Sequence, residues 1–287
     1  MNKKPMLYLE CKSGVSGDMT VAALLDLGVD EGAFAAALDS LELTGVSYAV
    51  SRVDKNGIMA RDFDVRIEGE PHAHAHDSHQ HDHEHSHDHP HHEHSHDHAG
   101  HAEGHDHSHH HHAEHGHRNL GDIREIIAKS SLSERAKDIA YRTFQIVAEA
   151  EAKVHGKDIA EVHFHEVGAL DSILDIVGAA FCIDYLDIGE IAVSALSEGS
   201  GYVICQHGRL PVPVPATSEI AVKYGIPLCI TDTPHEMVTP TGIALIAALK
   251  TVDSLPSTLR ILKIGYGAGK RRLEHPNILR ALLVEEA

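Results

Sequence analysis

Residues 72–117 hold 23 histidines and nine acidic residues in 46 positions, with no Lys or Arg and almost nothing apolar. A stretch of that composition cannot bury enough surface to offset the entropy of ordering itself. It reads as a disordered insertion over 71–118, so the fold must be assembled from its two flanks, 1–70 and 119–287. With an unperturbed pKa near ~6.5, imidazole is mostly neutral at pH 7 and offers a nitrogen lone pair. That donor suits Ni, Cu, Zn and Co, whereas Mg and Ca prefer oxygen. Interleaved acids such as Asp77, Asp82 and Glu84 add negative charge. The insertion predicts collection of a late first-row metal at many similar, poorly selective sites; the bland alternative is a solvated spacer. The chemistry is expected elsewhere.

The remaining 241 residues suffice for one large or two modest domains. Nine of the 43 acids lie in the insertion and all 24 Lys and Arg lie outside it, leaving ten net negatives on the flanks. That balance argues against nucleic acid or an anionic membrane as partner. The run Lys270-Arg271-Arg272 is the local exception, able to meet one phosphate. Cys11, Cys182, Cys205 and Cys229 are scattered with no C-x-x-C, which excludes a zinc ribbon, and no secretory signal precedes them. No apolar run approaches the ~18 residues of a membrane span. A cytoplasmic protein with reduced thiols follows.

Met6–Cys11 reads as a buried strand and Ser13–Asp18 as a tight Gly/Ser turn. Met19–Leu27, ended by Gly28, and Glu31–Leu41 read as helices. Val46–Val53 and Phe63–Ile67 alternate apolar and polar residues like paired strands. Asn119 caps a helix to Lys129, and Ser131-x-x-Glu134 is a capping box for a long helix to about Val154. Val162–Val167 is extended, Ser172–Leu186 a strongly apolar helix, and Ile188–Pro215 a run of short strands and turns. Thr217–Tyr224 and Thr239–Leu249 are helical, and Ile261–Ile264 and Ile278–Val284 are strands. The class is α/β, a mixed sheet with packed helices, interrupted by the His-rich insertion.

The densest cluster of donors is His163-Phe164-His165-Glu166 followed by Asp171 and Asp175. In an extended segment His163 and His165 share one face. Asp171 falls at the expected helix N-cap and Asp175 one turn further on the same face. Together they predict a divalent metal site with Glu166 or a non-ligating His as base. The bland readings are that Asp171 only caps and Asp175 only pairs with a lysine. Ser16-Gly17-Asp18 opens a helix whose amino terminus favours an anion, although Asp18 alone also suits a cap. Gly265-Tyr266-Gly267-Ala268-Gly269-Lys270 is also Gly-rich but is neither G-x-G-x-x-G nor a P-loop. His207 and Arg209 stand beside a stiff segment with Pro211, Pro213 and Pro215. Glu236, Thr239 and Thr241 mark another anion- or metal-facing helix start. No Ser-His-Asp or Cys-His order supports a hydrolase triad, and a metal-dependent hydrolase is the weakest alternative.

Five ordered segments carry a resemblance. They are Leu7-Tyr8-Leu9-Glu10-Cys11 with Ser13-Gly14-Val15-Ser16-Gly17-Asp18-Met19; His163-x-His-Glu-Val-Gly-Ala-x-Asp-Ser-Ile-x-Asp-Ile; His207-Gly208-x-Leu-Pro-Val-Pro; Glu236-x-Val-Thr-Pro-Thr-Gly; and Gly265-Tyr-Gly-Ala-Gly with Pro276-Asn277. From Met6 to about Leu283 the chain resembles the nickel-insertion proteins that complete the nickel-pincer nucleotide cofactor of lactate racemase. The resemblance implies a metal insertase of the lyase class acting on a pyridinium mononucleotide with two thiocarboxylates. Nickel ends up on two sulfurs and a ring carbon, a cyclometallation that releases a ring proton and depends on CTP with Mg2+ or Mn2+.

On residue chemistry, His163, His165, Glu166, Asp171 and Asp175 are the expected nickel ligands, with His165 and Glu166 as candidate bases. Ser16, Gly17, Asp18, His207, Arg209, Thr239 and Thr241 are expected to hold the nucleotide. Two departures stand out. Glu10 replaces a common Asp, keeping charge with longer reach. Longer members also carry a carboxy-terminal CTP-binding domain, so that domain is either a separate polypeptide or subunit or missing from a shortened chain. The expected partners are the pincer precursor, that domain and further copies in a homo-oligomer. A non-enzymatic nickel store or metallochaperone is the competing reading.

Overall fold

The computed structural model describes residues 4–69, 118–161, 170–205 and 207–287. The His-rich insertion, the extended piece expected over Val162–Val167, and with it His163, His165 and Glu166, lie outside them.

Strand β1 (Met6–Glu10) leads through a tight turn into helix α1 (Gly17–Asp26). Helix α2 (Glu31–Asp39) is opened by Asp30, whose side chain accepts from the Ala33 N–H. Strands β2 (Val46–Lys55) and β3 (Ile58–Ile67) form a hairpin in register from Val46↔Ile67 to Lys55↔Ile58. Its turn is Asn56-Gly57, both residues at positive φ, a conformation this dipeptide favours because it matches the strands' twist. The second strand therefore starts at Ile58, ahead of the Phe63 expected from alternation.

Helix α3 (Leu120–Lys129) carries the capping box Asn119/Asp122. Helix α4 (Glu134–His155) is capped by Ser133, which accepts from the Ala136 N–H. This corrects Ser131: the helix begins directly after Ser133, leaving Ser131 too far upstream to reach the free N–H groups. A 3₁₀ turn (Ile159–Glu161) and α5 (Leu170–Tyr185) follow, then β4 (Glu190–Val193), β5 (Leu196–Glu198), β6 (Tyr202–Cys205) and β7 (Gly208–Pro211). Helix α6 (Pro215–Tyr224), β8 (Leu228–Ile230), α7 (Pro240–Leu249), β9 (Leu259–Ala268) and β10 (Ile278–Glu286) complete the order.

Both flanks of the insertion share one six-stranded mixed sheet, β2-β3-β9-β10-β1-β4. Strand β1 runs antiparallel to β10 and parallel to β4. Strand β3 meets β9 only at Arg61↔Gly267. Two smaller pairs stand apart, β5–β8 and β6–β7. Helix α1 lies on β9 and β3, α5 packs on α1, α4 on α5, and α6 and α7 on α4. Phe34 locks α2 to the hairpin and to α5, with rings 6.0 Å from Tyr48, 5.7 Å from Phe63 and 6.1 Å from Phe181.

The Gly-rich segment begins within β9, whose last four residues are Gly265–Ala268. Its glycines let α1 lie directly on the strand: a Cβ on Gly265 would sit 2.1 Å from Ala23 O, and one on Gly267 2.0 Å from Met19 O. Glycine is used here for close backbone approach rather than to bind phosphate.

Candidate functional site

The turn after β1 is tied to the start of α7. Val15 N–H donates to Met237 O at 2.9 Å and Thr239 N–H to Val15 O at 3.1 Å. This bridge brings the amino termini of two helices to the carboxyl end of β1, where open α/β sheets place their ligand crevices. Thr239 caps α7 by accepting from the Gly242 N–H at 3.1 Å, with Pro240 as the first helical residue. Between them opens a cleft of about 160 Å³ lined by Ser16, Asp18, Thr239, Lys270, Arg271 and Asn277, among others.

Asp18 lies inside the first turn of α1, and Ser16 is the N-cap residue, which corrects the reading of Asp18 as a cap. The Ser16 hydroxyl donates to Asp18 Oδ1. Burial pushes the Asp18 carboxyl up, while Ser16, the charge of Lys270 and the Met19 N–H pull it back.

Behind Asp18 sits Asp175. Its carboxyl is raised well above the ordinary range, first by burial and then by the charges of Asp18 and Asp171; Lys270 and the Asp18 N–H oppose the rise. Asp175 Oδ1 is sealed from solvent and has no hydrogen-bond partner among the described residues. Gly17 makes the arrangement possible, since a Cβ there would fall 2.4 Å from Asp175 Oδ2. Asp171 lies within the first turn of α5 rather than before it, and its Oδ1 accepts from Ser172 N–H at 2.8 Å.

Lys270 explains why two acids tolerate each other. Its ammonium donates to Asp62 at 2.8 Å, Phe63 O at 3.0 Å and Asp64 at 3.1 Å, which fixes a positive charge of β3 and β9 origin at the cleft. Asn277 holds the same loop by donating to Arg271 O at 3.1 Å and accepting from Gly269 N–H at 2.9 Å.

Ser16, Gly17, Asp18, Asp175 and Thr239 therefore converge, with Asp171 contributing charge. Others do not line the cleft. Thr241 is buried in the first turn of α7. His207, at the β6–β7 turn, has its ring 4.8 Å from that of His155. Arg209 lies 4.0 Å over the Tyr202 ring. Glu10 pairs across the sheet with Arg280, so its longer reach serves a strand-to-strand ion pair.

Sequence reasoning missed Glu198. It is fully buried, and its Oε1 accepts from Gly199 at 2.8 Å, Met237 at 2.8 Å and Val238 at 3.2 Å, while Oε2 has no partner among the described residues. It thus fastens β5 to the cleft wall formed by Met237–Thr239. No periodicity or motif announces such a role; a lone acid among small residues was the only sign.

Among the described residues no three His, Cys, Asp or Glu side chains are arranged to hold a metal by themselves. No described helix is long and apolar enough to cross a membrane.

A family model described as nickel insertion protein matches residues 7–287. The chain is 50% identical over 284 residues to the pyridinium-3,5-bisthiocarboxylic acid mononucleotide nickel insertion protein of Alkaliphilus metalliredigens, covering 98% of this chain and 60% of the relative. The same description belongs to relatives from Acetivibrio thermocellus, 41% identical over 97% of this chain and 60% of theirs, and Clostridium kluyveri, 42% identical over 98% and 62%. The chain thus spans about three fifths of the length of these relatives. No solved structure matches it.

Proposed function

This chain belongs to the nickel insertion protein family, and from that premise we propose that it inserts nickel into a pyridinium-3,5-bisthiocarboxylic acid mononucleotide. The observation that carries the reading is the sealed Oδ1 of Asp175, without a partner among the described residues, behind the cleft-lining Asp18. Burying charged oxygens without a partner is costly, and a dication removes that cost. Completing a nickel site takes further ligands, and His163, His165 and Glu166 lie in the segment that runs directly into α5. Imidazoles and carboxylates together suit Ni(II).

Insertion forms two Ni–S bonds and one Ni–C bond. Nickel stays divalent, and the ring proton leaves to a base, the role we give Glu166 or His165. Ser16, Asp18 and Thr239 flank the space for the nucleotide; His207 and Arg209 join the proposal only as a second wall.

CTP with Mg2+ or Mn2+ enters through the family resemblance alone. The described cleft, about 160 Å³, is below the ~300 Å³ at which pockets for drug-sized ligands begin. It is too small for a whole nucleoside triphosphate, so we assign CTP to a separate or additional domain and route no step through it. We place the protein in the cytoplasm, where its four free cysteines stay reduced, and expect self-association.

The test is to incubate the chain with nickel, the bisthiocarboxylate mononucleotide, CTP and Mg2+, with and without the additional portion of a longer relative, and follow the metallated nucleotide by mass spectrometry. Asp175→Asn and the triple change of His163, His165 and Glu166 to Ala should each abolish product. A normal rate in the triple variant sinks the site assignment.

A further inference from the structure

The geometry points to Arg271 as the anchor for the phosphate monoester of the nucleotide, in the cleft that Asp18 also lines, with Asp175 behind Asp18. The inference rests on the proposed function, because it presumes that this cleft takes a mononucleotide.

Two cations line the cleft, Lys270 and Arg271, and they are not equivalent. An ammonium has three N–H donors. Those of Lys270 go to Asp62, Phe63 O and Asp64, so Lys270 can only act on a ligand through space. Arg271 differs: its guanidinium makes no hydrogen bond or ion pair among the described residues, and only its carbonyl is engaged, by Asn277. That contact fixes the backbone from which the side chain springs while leaving five donors free. A planar fork of N–H groups matches a phosphate bidentately.

The surroundings agree. The chain carries formal net charge −19, yet beside the cleft the charges of Lys270 and Arg272 act on Lys55, against those of Asp62 and Asp18. Burial and then the Arg271 charge lower the pKa of His235, which places the positive charge of Arg271 within reach of that ring. Acidic and basic lining residues give the cleft two poles. A substrate with a metal-binding ring at one end and a phosphate at the other enters in one orientation only, ring toward Asp18.

The experiment measures calorimetric affinity of the chain for nicotinate mononucleotide and for its phosphate-free riboside, alongside nickel binding. Wild type should hold the nucleotide about tenfold or more tighter than the riboside, the worth of a charge-assisted hydrogen-bond pair. Arg271→Ala should bring the two within about twofold, Arg271→Lys should recover part of the difference, and nickel affinity should not move. The side chain is exposed, so folding is not at risk. A wild-type preference that survives Arg271→Ala overturns the inference alone. If wild type binds neither compound, the nucleotide reading of the cleft falls with it. Loss of nickel binding in Arg271→Ala would make Arg271 part of the metal site and also overturn the phosphate role.

Discussion

Gly17 and Asp175 meet so closely that a Cβ on the glycine would lie 2.4 Å from Oδ2 and 2.6 Å from Cβ of the aspartate. The first turn of α1 and the second turn of α5 are thereby pressed together behind the cleft-lining Asp18. The Asp18 N–H donates to the Asp175 carboxylate across this contact. Gly17→Ala should push the two helices apart or swing the carboxylate out. We expect a loss of about 1–3 kcal/mol, the usual range for overpacking, with nickel affinity of the folded body falling further than stability. Thermal melts and metal titration of a variant lacking 71–118 would check both.

Burial raises the carboxyls of both Asp18 and Asp175. A folded-state pKa above the unfolded value means the folded chain binds the proton more tightly, so the sites favour folding below about pH 4 and that contribution is lost as pH rises through their folded values. At neutral pH each charge therefore costs stability. Asp175→Asn should melt at higher temperature than wild type at pH 7–8, with the gap closing as pH falls toward 4, while nickel binding at the cleft is lost. Equal melting temperatures at pH 7.5 would contradict the sign.

Glu198 serves the wall of the same cleft by a different device. One oxygen takes three backbone N–H groups, and each N–H left unsatisfied after truncation costs about 1–3 kcal/mol. Glu198→Ala should therefore destabilise by several kcal/mol. Glu198→Gln keeps an acceptor oxygen and should stay within about 1–2 kcal/mol of wild type. Chemical denaturation of both variants separates the two outcomes.

Local signals in the sequence located most elements because each is written within a few residues. Asn119 with Asp122 announces α3, Pro240 after Thr239 announces α7, and the apolar run from Ser172 announces α5. What was hidden depends on partners far along the chain. The glycines of β9 match no signature, and their role shows only once α1 is laid on them. Asn56-Gly57 is a legible hairpin turn, whereas clear apolar–polar alternation in the second strand begins only at Phe63. The contact of Asp18 with Asp175 joins residues far apart in sequence, and periodicity describes one element at a time. Asp171 and Asp175 were legible as a pair because they lie one turn apart on a helix.

Close approach in β9 gives a sharper test of the fold. A Cβ on Gly267 would lie 2.0 Å from Met19 O and 2.7 Å from Ala23 N, both backbone atoms that cannot rotate away. Gly267→Ala must lift α1 from the sheet and carry Asp18 with it. It should cost at least about 3 kcal/mol, the upper end for added volume in a packed core. Gly57→Ala, whose Cβ would meet nothing within 4 Å but whose φ is +85°, should cost only about 1–2 kcal/mol of backbone strain. Reversal of that order in denaturant unfolding would mean α1 does not rest on β9 as described.

The insertion and the cleft should separate in a deletion experiment. Residues 72–117 contain 23 of the 29 histidines, and every strand and helix named above lies outside them. Deleting 71–118 should remove most of the nickel capacity and leave the melting temperature within about 2 °C, since no described core side chain is lost. The capacity that disappears should be the part that wild type itself sheds as pH drops through about 6.5, where protons displace metal from imidazole. The triple change of His163, His165 and Glu166 should do the opposite, sparing bulk capacity and stopping insertion. A deletion variant that also fails to metallate the nucleotide under saturating nickel would move the chemistry into the insertion and leave the cleft without its proposed role.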